Sequence, residues 1–216
     1  MAPTIHVIRH AQAQHQINQD YTLRDTELTP LGIEQSKALA GEIAKLDIDF
    51  VYASPLRRSI MTAFVAFAIY SQSRPIFLFP DLQEVSDNPV DIGHTQSELE
   101  AEFGTDHFDY LMVEPGWTDK HPWSRYSPIN VENRARDARV LLRKLAEAVT
   151  SKPNPNIAVV SHGNFIWELT KSSDTPFFRN TEIRSYQFDP SRPDDADAEL
   201  IETASSIARR GGVPKA

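Results

Sequence analysis

Thr4-Ile-His-Val-Ile-Arg-His10 opens the chain as a short apolar run that delivers an arginine and then a histidine. Asn156-Ile-Ala-Val-Val-Ser-His162 repeats the design near the other end. In an open α/β sheet the carboxyl ends of the strands border the crevice where ligands bind, so two histidines placed there can meet across one ligand. Two further runs extend the pattern. Asp49-Phe-Val-Tyr-Ala53 leads into Ser54-Pro-Leu-Arg-Arg58, and Ile76-Phe-Leu-Phe79 leads through Pro80-Asp-Leu-Gln to Glu84. Imidazoles, guanidiniums and a carboxyl converging at strand ends form a phosphate-handling set. Arginine offers a planar fork of donors to phosphate oxygens, and a histidine can attack phosphorus.

Helical patterns separate these runs. Thr29-Pro30 reads as an N-cap followed by proline at the first helical position, and Leu39, Ile43 and Leu46 then recur at helical spacing, predicting a helix over 30–46. Ile60, Phe64 and Phe67 predict a second from Leu56 to Tyr70, and Val131, Ala135, Ala138, Leu142, Leu145 and Val149 a third behind Asn130 as cap. The alternation implies right-handed crossovers: an α/β fold, a three-layer α/β/α sandwich around a mostly parallel sheet. A short helix is expected at 165–171, a hairpin from 182–188 and 198–203, and a mobile tail over 204–216. One domain, 1–203, is expected, with an inserted cap segment at about 85–130.

Composition narrows the function. The chain has 216 residues, 40% of them hydrophobic and 24% charged, with a formal charge of −8 and no cysteine. That length can bury a sizeable core. No run approaches the roughly 20 apolar residues of a membrane span, and Met1-Ala-Pro-Thr4 does not resemble a signal peptide, so a cytoplasmic protein without membrane contact is expected. The negative charge argues against a nucleic-acid partner, because phosphate backbones are gripped by clustered Lys and Arg. Nothing in the pattern sets an oligomeric state.

The stretch between Glu84 and Asn130 is too long for an ordinary connection. It carries Phe103, Phe108, Tyr110, Trp117, Trp123 and Tyr126 among many acidic residues. Such a cap suits an apolar or aromatic leaving group better than a polyanion, with Trp117, Trp123 and, from outside the insert, His15 as candidate cap contacts; the tryptophans read equally as ordinary core.

Val7-Ile-Arg-His-Ala-Gln12 resembles the signature of the histidine phosphatase superfamily, the phosphoglycerate mutase-like fold. Further family elements follow in order: Leu28-Thr-Pro-Leu-Gly32 with Gln35, Ser54-Pro-Leu-Arg-Arg58 with Thr62-Ala63, Leu82-Gln-Glu84, and Val160-Ser-His-Gly163. Five motifs in order over residues 4–170 make the resemblance specific. It implies His10 as the nucleophile that becomes phosphohistidine. Arg9, Arg58 and His162 then form the phosphate pocket, with Gln16 and Gly163 as further phosphate contacts, and Glu84 is the proton donor. Ala11 stands where the family usually has glycine, and Gln16 where related subfamilies have asparagine.

The chemistry is coherent without the family. Nearby cations keep a histidine neutral and nucleophilic, and phosphoryl transfer depends largely on positioning and charge stabilisation. No metal or other cofactor is required. His6, His10 and His15 lack the helical i,i+4 pairing of a zinc site. His6, His94, His107 and His121 read as structural, Arg57 as facing solvent or holding the cap, and Thr62 as packing a helix on the sheet. The expected activity is hydrolysis of a small phosphorylated metabolite. Phosphomutase-type transfer and a non-catalytic ligand- or protein-binding member of the fold are the alternatives. The Glu-Arg-His-Tyr-Gly stretch of the glycolytic mutases is absent.

Overall fold

The computed structural model describes residues 3–149, 152, 154–171, 177–192 and 195–211. Its centre is a seven-stranded sheet in the order β4-β3-β2-β5-β1-β6-β7. The strands are β1 (Thr4–Arg9), β2 (Phe50–Ala53), β3 (Ile76–Leu78), β4 (Phe108–Asp109), β5 (Asn156–Ser161), β6 (Ile183–Phe188) and β7 (Leu200–Glu202). Strands β1 to β5 pair in parallel, whereas β6 runs antiparallel to both β1 and β7. The α/β class and the mostly parallel sheet are those expected.

Alternation along the strands sorts their side chains onto two faces. Ile8, Val51, Ala53, Ala158 and Val160 pack with Leu39, Ile43, Ile60, Ala63 and Phe67. Leu39 and Ile43 come from α2 (Pro30–Ile43), Ile60 and Ala63 from α3 (Arg57–Ala66), and Phe67 stands just past the end of α3; both helices follow the short α1 (His15–Asn18). On the other face Ile5, Val7, Ile157 and Val159 meet Ala135, Ala138, Leu142, Phe165 and Leu169. Between α3 and these last helices comes α4 (Gln96–Phe103). Helices α5 (Val131–Ala148) and α6 (Gly163–Thr170) supply that second layer.

Helix ends follow local chemistry. Thr29 Oγ1 accepts from Gly32 N at 3.0 Å with Pro30 just behind it, the capped start the sequence predicts. Thr95 and Glu98 form a reciprocal capping box that starts α4. Asn130 holds the predicted N-cap position of α5, but its side chain makes no capping bond and donates instead to Ser124 O at 2.8 Å, with a 3₁₀ turn, Pro128–Asn130, leading into the helix. Helix α3 is shorter than predicted, stopping at Ala66, and Phe64 is partly exposed while Ala63 takes its place in the core.

Two larger expectations change. The segment 85–130 is not only a cap, because β4 extends the sheet beside β3 while Leu99, Phe108, Tyr110, Val113, Trp117 and Tyr126 join the core beneath it. The predicted tail also begins with an ordered helix, α7 (Ala204–Arg209), capped by Thr203. Ser206 Oγ accepts from Ser185 N at 3.0 Å and donates to Glu202 at 2.8 Å, fastening α7 to the hairpin. Residues 193 and 194 of the predicted hairpin turn and 212–216 of the predicted tail lie outside the described residues.

Candidate active site

Register brings the two histidines together. β1 and β5 are parallel neighbours with Arg9 opposite Ser161, so His10 and His162 each stand one residue past a matched pair. His10 N donates to Ser161 O at 2.9 Å, which continues the ladder one step beyond the strand. The two imidazole centroids are 5.0 Å apart and the rings are inclined at 52°. Both side chains are buried.

The nitrogens of each ring have distinct surroundings. His10 Nδ1 donates to Ala11 O at 2.7 Å, which fixes the proton there and leaves Nε2 with its lone pair. Burial first, then the Arg58 and Arg9 guanidiniums, holds the His10 pKa well below its ordinary value. Burial likewise dominates at His162, followed by the charges of Arg58 and His10. His162 Nε2 lies 2.8 Å from Ser54 Oγ and 3.2 Å from Ser59 Oγ, whereas its Nδ1 is buried with no partner among the described residues.

Arg9 Nε and Arg58 Nε are also buried without a partner among the described residues. Three unpaired polar atoms, on Arg9, Arg58 and His162, thus belong to residues the motifs predicted to surround one anion. A buried polar group without a hydrogen bond is costly, and such groups in native structures commonly mark ligand positions. Gly163 lies against the Arg9 guanidinium: a Cβ there would stand 3.4 Å from Cζ and Nε, an ordinary contact.

Glu84 closes the site from β3. Its Oε1 accepts from Val85 N at 3.0 Å and Phe165 N at 2.9 Å, and Oε2 from Asn164 N at 3.1 Å, so the carboxyl sits on the amino end of α6. Burial and the neighbouring Asp91 raise its pKa, outweighing the backbone donors and Arg58. The turn bearing Glu84 is held from behind. Arg134 of α5 donates to Asp81 O at 2.8 Å and Gln83 O at 2.6 Å, and stacks over Phe165 at 4.4 Å.

The insert fixes the second arginine. Arg58 Nη1 donates to Val90 O and Nη2 to Asp91 Oδ1, each at 2.7 Å, with Asp25 Oδ1 4.0 Å away. Ser86 Oγ donates to the other Asp91 oxygen at 2.6 Å. Arg57 holds the insert, as expected for one of its two readings, by pairing with Glu102 of α4 and with Glu27. Thr62 does more than pack: its Oγ1 accepts from Ala11 N at 3.0 Å and donates to Arg58 O at 2.6 Å, tying the His10 turn to α3.

His15 is buried beside the site, its centroid 6.3 Å from that of His10 and its Nδ1 2.7 Å from Thr26 Oγ1. Burial and Arg58 lower its pKa to about 4. The Gln16 amide is engaged by protein: Oε1 accepts from Ala13 N at 2.9 Å, and the amide pairs with Asn180, which donates to His10 O at 2.8 Å. Of its two readings Trp117 takes the core and not the cap, being 2% exposed with its ring packed against Gly93. Trp123 is 78% exposed and stacks on His121. His6, bonded to Ser185 Oγ at 3.0 Å, and His107, bonded to Ser71 O at 2.9 Å, occupy structural positions.

Sequence reasoning missed Asp91, Asn180, Arg134 and Lys120. Lys120 is buried with Nζ donating to Glu84 O at 3.0 Å, so the acidic insert does supply a lysine to this region. Its one visible signal was being the lone lysine between Glu84 and Asn130. Among the described residues no cluster of three or more His, Asp or Glu could hold a metal ion, and no helix is long and apolar enough to cross a membrane.

The family profile of the histidine phosphatase superfamily, branch 1, matches residues 5–185. The chain belongs to that superfamily. Among histidine phosphatase relatives, a putative phosphoserine phosphatase 2 of Hydrogenobacter thermophilus is 28% identical over 160 residues, covering 74% of this chain and 72% of its own. The ecdysone phosphate phosphatase of Bombix mori, solved with tungstate, superimposes with a TM-score of 0.64 at 14% identity, covering 93% of this chain and 92% of that one. A mutant phosphoserine phosphatase of Entamoeba histolytica, solved with phosphoserine, gives 0.56 at 23% identity, covering 93% and 95%. At such identities the two structures establish the shared histidine phosphatase fold.

Proposed function

We propose that this chain is a phosphomonoesterase working through a phosphohistidine at His10. The observation that carries this reading is the pair of imidazoles 5.0 Å apart, together with buried nitrogens of Arg9, Arg58 and His162 that have no partner among the described residues. A dianionic phosphoryl group would satisfy all three and compensate the clustered cations. Gln16 engages Asn180, so in this reading it supports the His10 turn and reaches phosphate only by exchanging that bond.

His10 Nε2, neutral and oriented by Ala11 O, attacks phosphorus and forms the N–P bond as the ester P–O bond breaks. The departing oxygen takes the proton of Glu84, whose raised pKa keeps it protonated into a higher pH range than an ordinary carboxyl. His162 donates from Nδ1 to a phosphoryl oxygen when Ser54 donates its hydroxyl proton to Nε2. Water then attacks the phosphohistidine, its proton passes to the Glu84 carboxylate, and inorganic phosphate and neutral His10 are regenerated.

Relatives named phosphatases support hydrolysis over transfer to a second substrate. The test is turnover of a chromogenic aryl phosphate by the parent and by His10→Ala, with vanadate as inhibitor. Loss of turnover in the variant and inhibition of the parent are expected. Equal rates in both proteins would remove His10 as nucleophile, and an inert parent that still binds phosphate would favour a non-catalytic member of the fold.

A further inference from the structure

His162 Nε2 faces two hydroxyls, Ser54 Oγ at 2.8 Å and Ser59 Oγ at 3.2 Å, and all three residues are fully buried. Ser54 stands just past β2, where its Oγ also accepts from Leu56 N at 3.3 Å. Ser59 lies in the first turn of α3, next to Arg58. One helical turn thus carries a cation for the anion pocket and a hydroxyl for its histidine. Ser59 also departs from the habit of a helical hydroxyl, which is to donate to a carbonyl of the preceding turn. Ser36, Thr62 and Thr170 are buried in helices too, and each donates to the carbonyl four residues back, at 2.8, 2.6 and 2.8 Å. Ser59 Oγ has His162 Nε2 as its one partner among the described residues.

Donor counting decides which way these bonds run. Each serine has one O–H to place, and a buried hydroxyl donor without an acceptor is costly. Neither has an acceptor other than His162 Nε2 among the described residues. A proton on Nε2 would strand both donors, whereas a lone pair there receives Ser54 at the shorter distance and Ser59 at the longer. The ring, held neutral by burial and then by Arg58, keeps its single proton on Nδ1, the atom with no partner among the described residues.

We propose that Ser59 acts with Ser54 as a positioning residue that fixes the His162 proton on Nδ1 before any anion arrives, so that the ring donates to a phosphoryl oxygen without rearranging. This deepens the phosphomonoesterase reading and rests on it. A ring with its proton on Nε2 would turn a lone pair toward the phosphoryl oxygens and repel them. Either serine alone still needs Nε2 as its acceptor, so the two contributions overlap.

Selective nitrogen-15 labelling of the histidines, with His162→Gln to assign its signals, reads the tautomer by long-range proton–nitrogen correlation at neutral pH. The ligand-free parent should show Nδ1 protonated and Nε2 bare, as should Ser54→Ala and Ser59→Ala. The double variant should move toward the Nε2–H form. In turnover of aryl and alkyl phosphates, each single substitution should lower kcat/KM about 2- to 5-fold and the double about 30- to 100-fold. The loss should be equal on both esters, because His162 meets the phosphoryl group and not the leaving group.

A parent with its proton on Nε2, or with both nitrogens protonated, would overturn the assignment. So would a double variant that keeps Nδ1–H, or that loses no more than the product of the single losses. Should the double variant not fold, the parent tautomer decides alone. An inert parent that shows the Nδ1 proton and binds vanadate would instead bring down the phosphomonoesterase reading, leaving the serine pair as the device that aims His162 at an anion.

Discussion

Asp91 Oδ1 accepts from Arg58 Nη2 at 2.7 Å, so a carboxylate of the insert sets the orientation of the arginine in the second motif. Asp91 also raises the pKa of Glu84. One residue thus couples the anion pocket to the acid. Asp91→Asn keeps an acceptor but removes the charge. We expect kcat/KM to fall about 3- to 10-fold, with the alkaline limb of the pH–rate profile for an alkyl phosphomonoester moving to lower pH. Unchanged profiles would detach Asp91 from both roles.

Glu84→Gln should distinguish leaving groups. An alkoxide needs a proton, so turnover of an alkyl ester should fall by about 10²–10⁴-fold, whereas an aryl phosphate, with its acidic phenol, should lose much less. In the parent, the raised pKa makes alkyl ester hydrolysis fastest at acidic to neutral pH and slower as Glu84 ionises. Equal losses on both ester types would exclude proton donation.

Asp25 predicts a pH dependence of stability. Burial raises its pKa to about 7 against the pull of Arg58, so the folded protein holds a proton there that the unfolded chain releases at ordinary carboxyl pH. Stability from that protonated carboxyl is full below the unfolded value and is lost as pH rises through about 7. His10, His15 and His162 act oppositely, their depressed values costing stability as pH falls below the ordinary histidine range. Asp25→Asn isolates the first effect. The variant should gain about 2–4 kcal/mol relative to the parent between about pH 5 and 8, read by denaturant unfolding at each pH. A pH-independent difference would show that Asp25 ionises normally.

The two insert tryptophans should behave differently. Trp117→Ala removes a fully packed indole and should cost about 3–5 kcal/mol. Trp123→Ala, at a 78% exposed site, should stay within about 0.5 kcal/mol. Gly93→Ala should also destabilise, because its Cβ would collide with the Trp117 ring. Denaturant midpoints order the three variants, and a Trp123 variant as unstable as the Trp117 one would contradict the packing.

Much of the site was legible because it sits at strand ends. His10, His162, Arg58 and Glu84 each follow an apolar run whose period marks a strand, and those runs fixed which residues would face one crevice. Asp91, Asn180 and Lys120 were not legible, since each reaches the site from an irregular segment whose path no periodicity records. Arg134 and Arg139 were hidden for another reason. They interrupt the apolar face of α5 yet are buried, because each finds backbone carbonyls to receive its donors. Serine at positions 185 and 206 gave no hint that residues 204–209 would fold back as a helix.

By itself the sequence determined the alternation of strand and helix, the family, and the kinds of side chain at the strand ends, because these depend on local periodicity and short motifs. Only the tertiary structure decided that Asp91 holds Arg58, that Trp117 is core, and that a lysine from the insert lies buried beside Glu84. Those relationships depend on where distant backbone segments pack, and burial, which sets the charge state of every group in the crevice, exists only once they have done so.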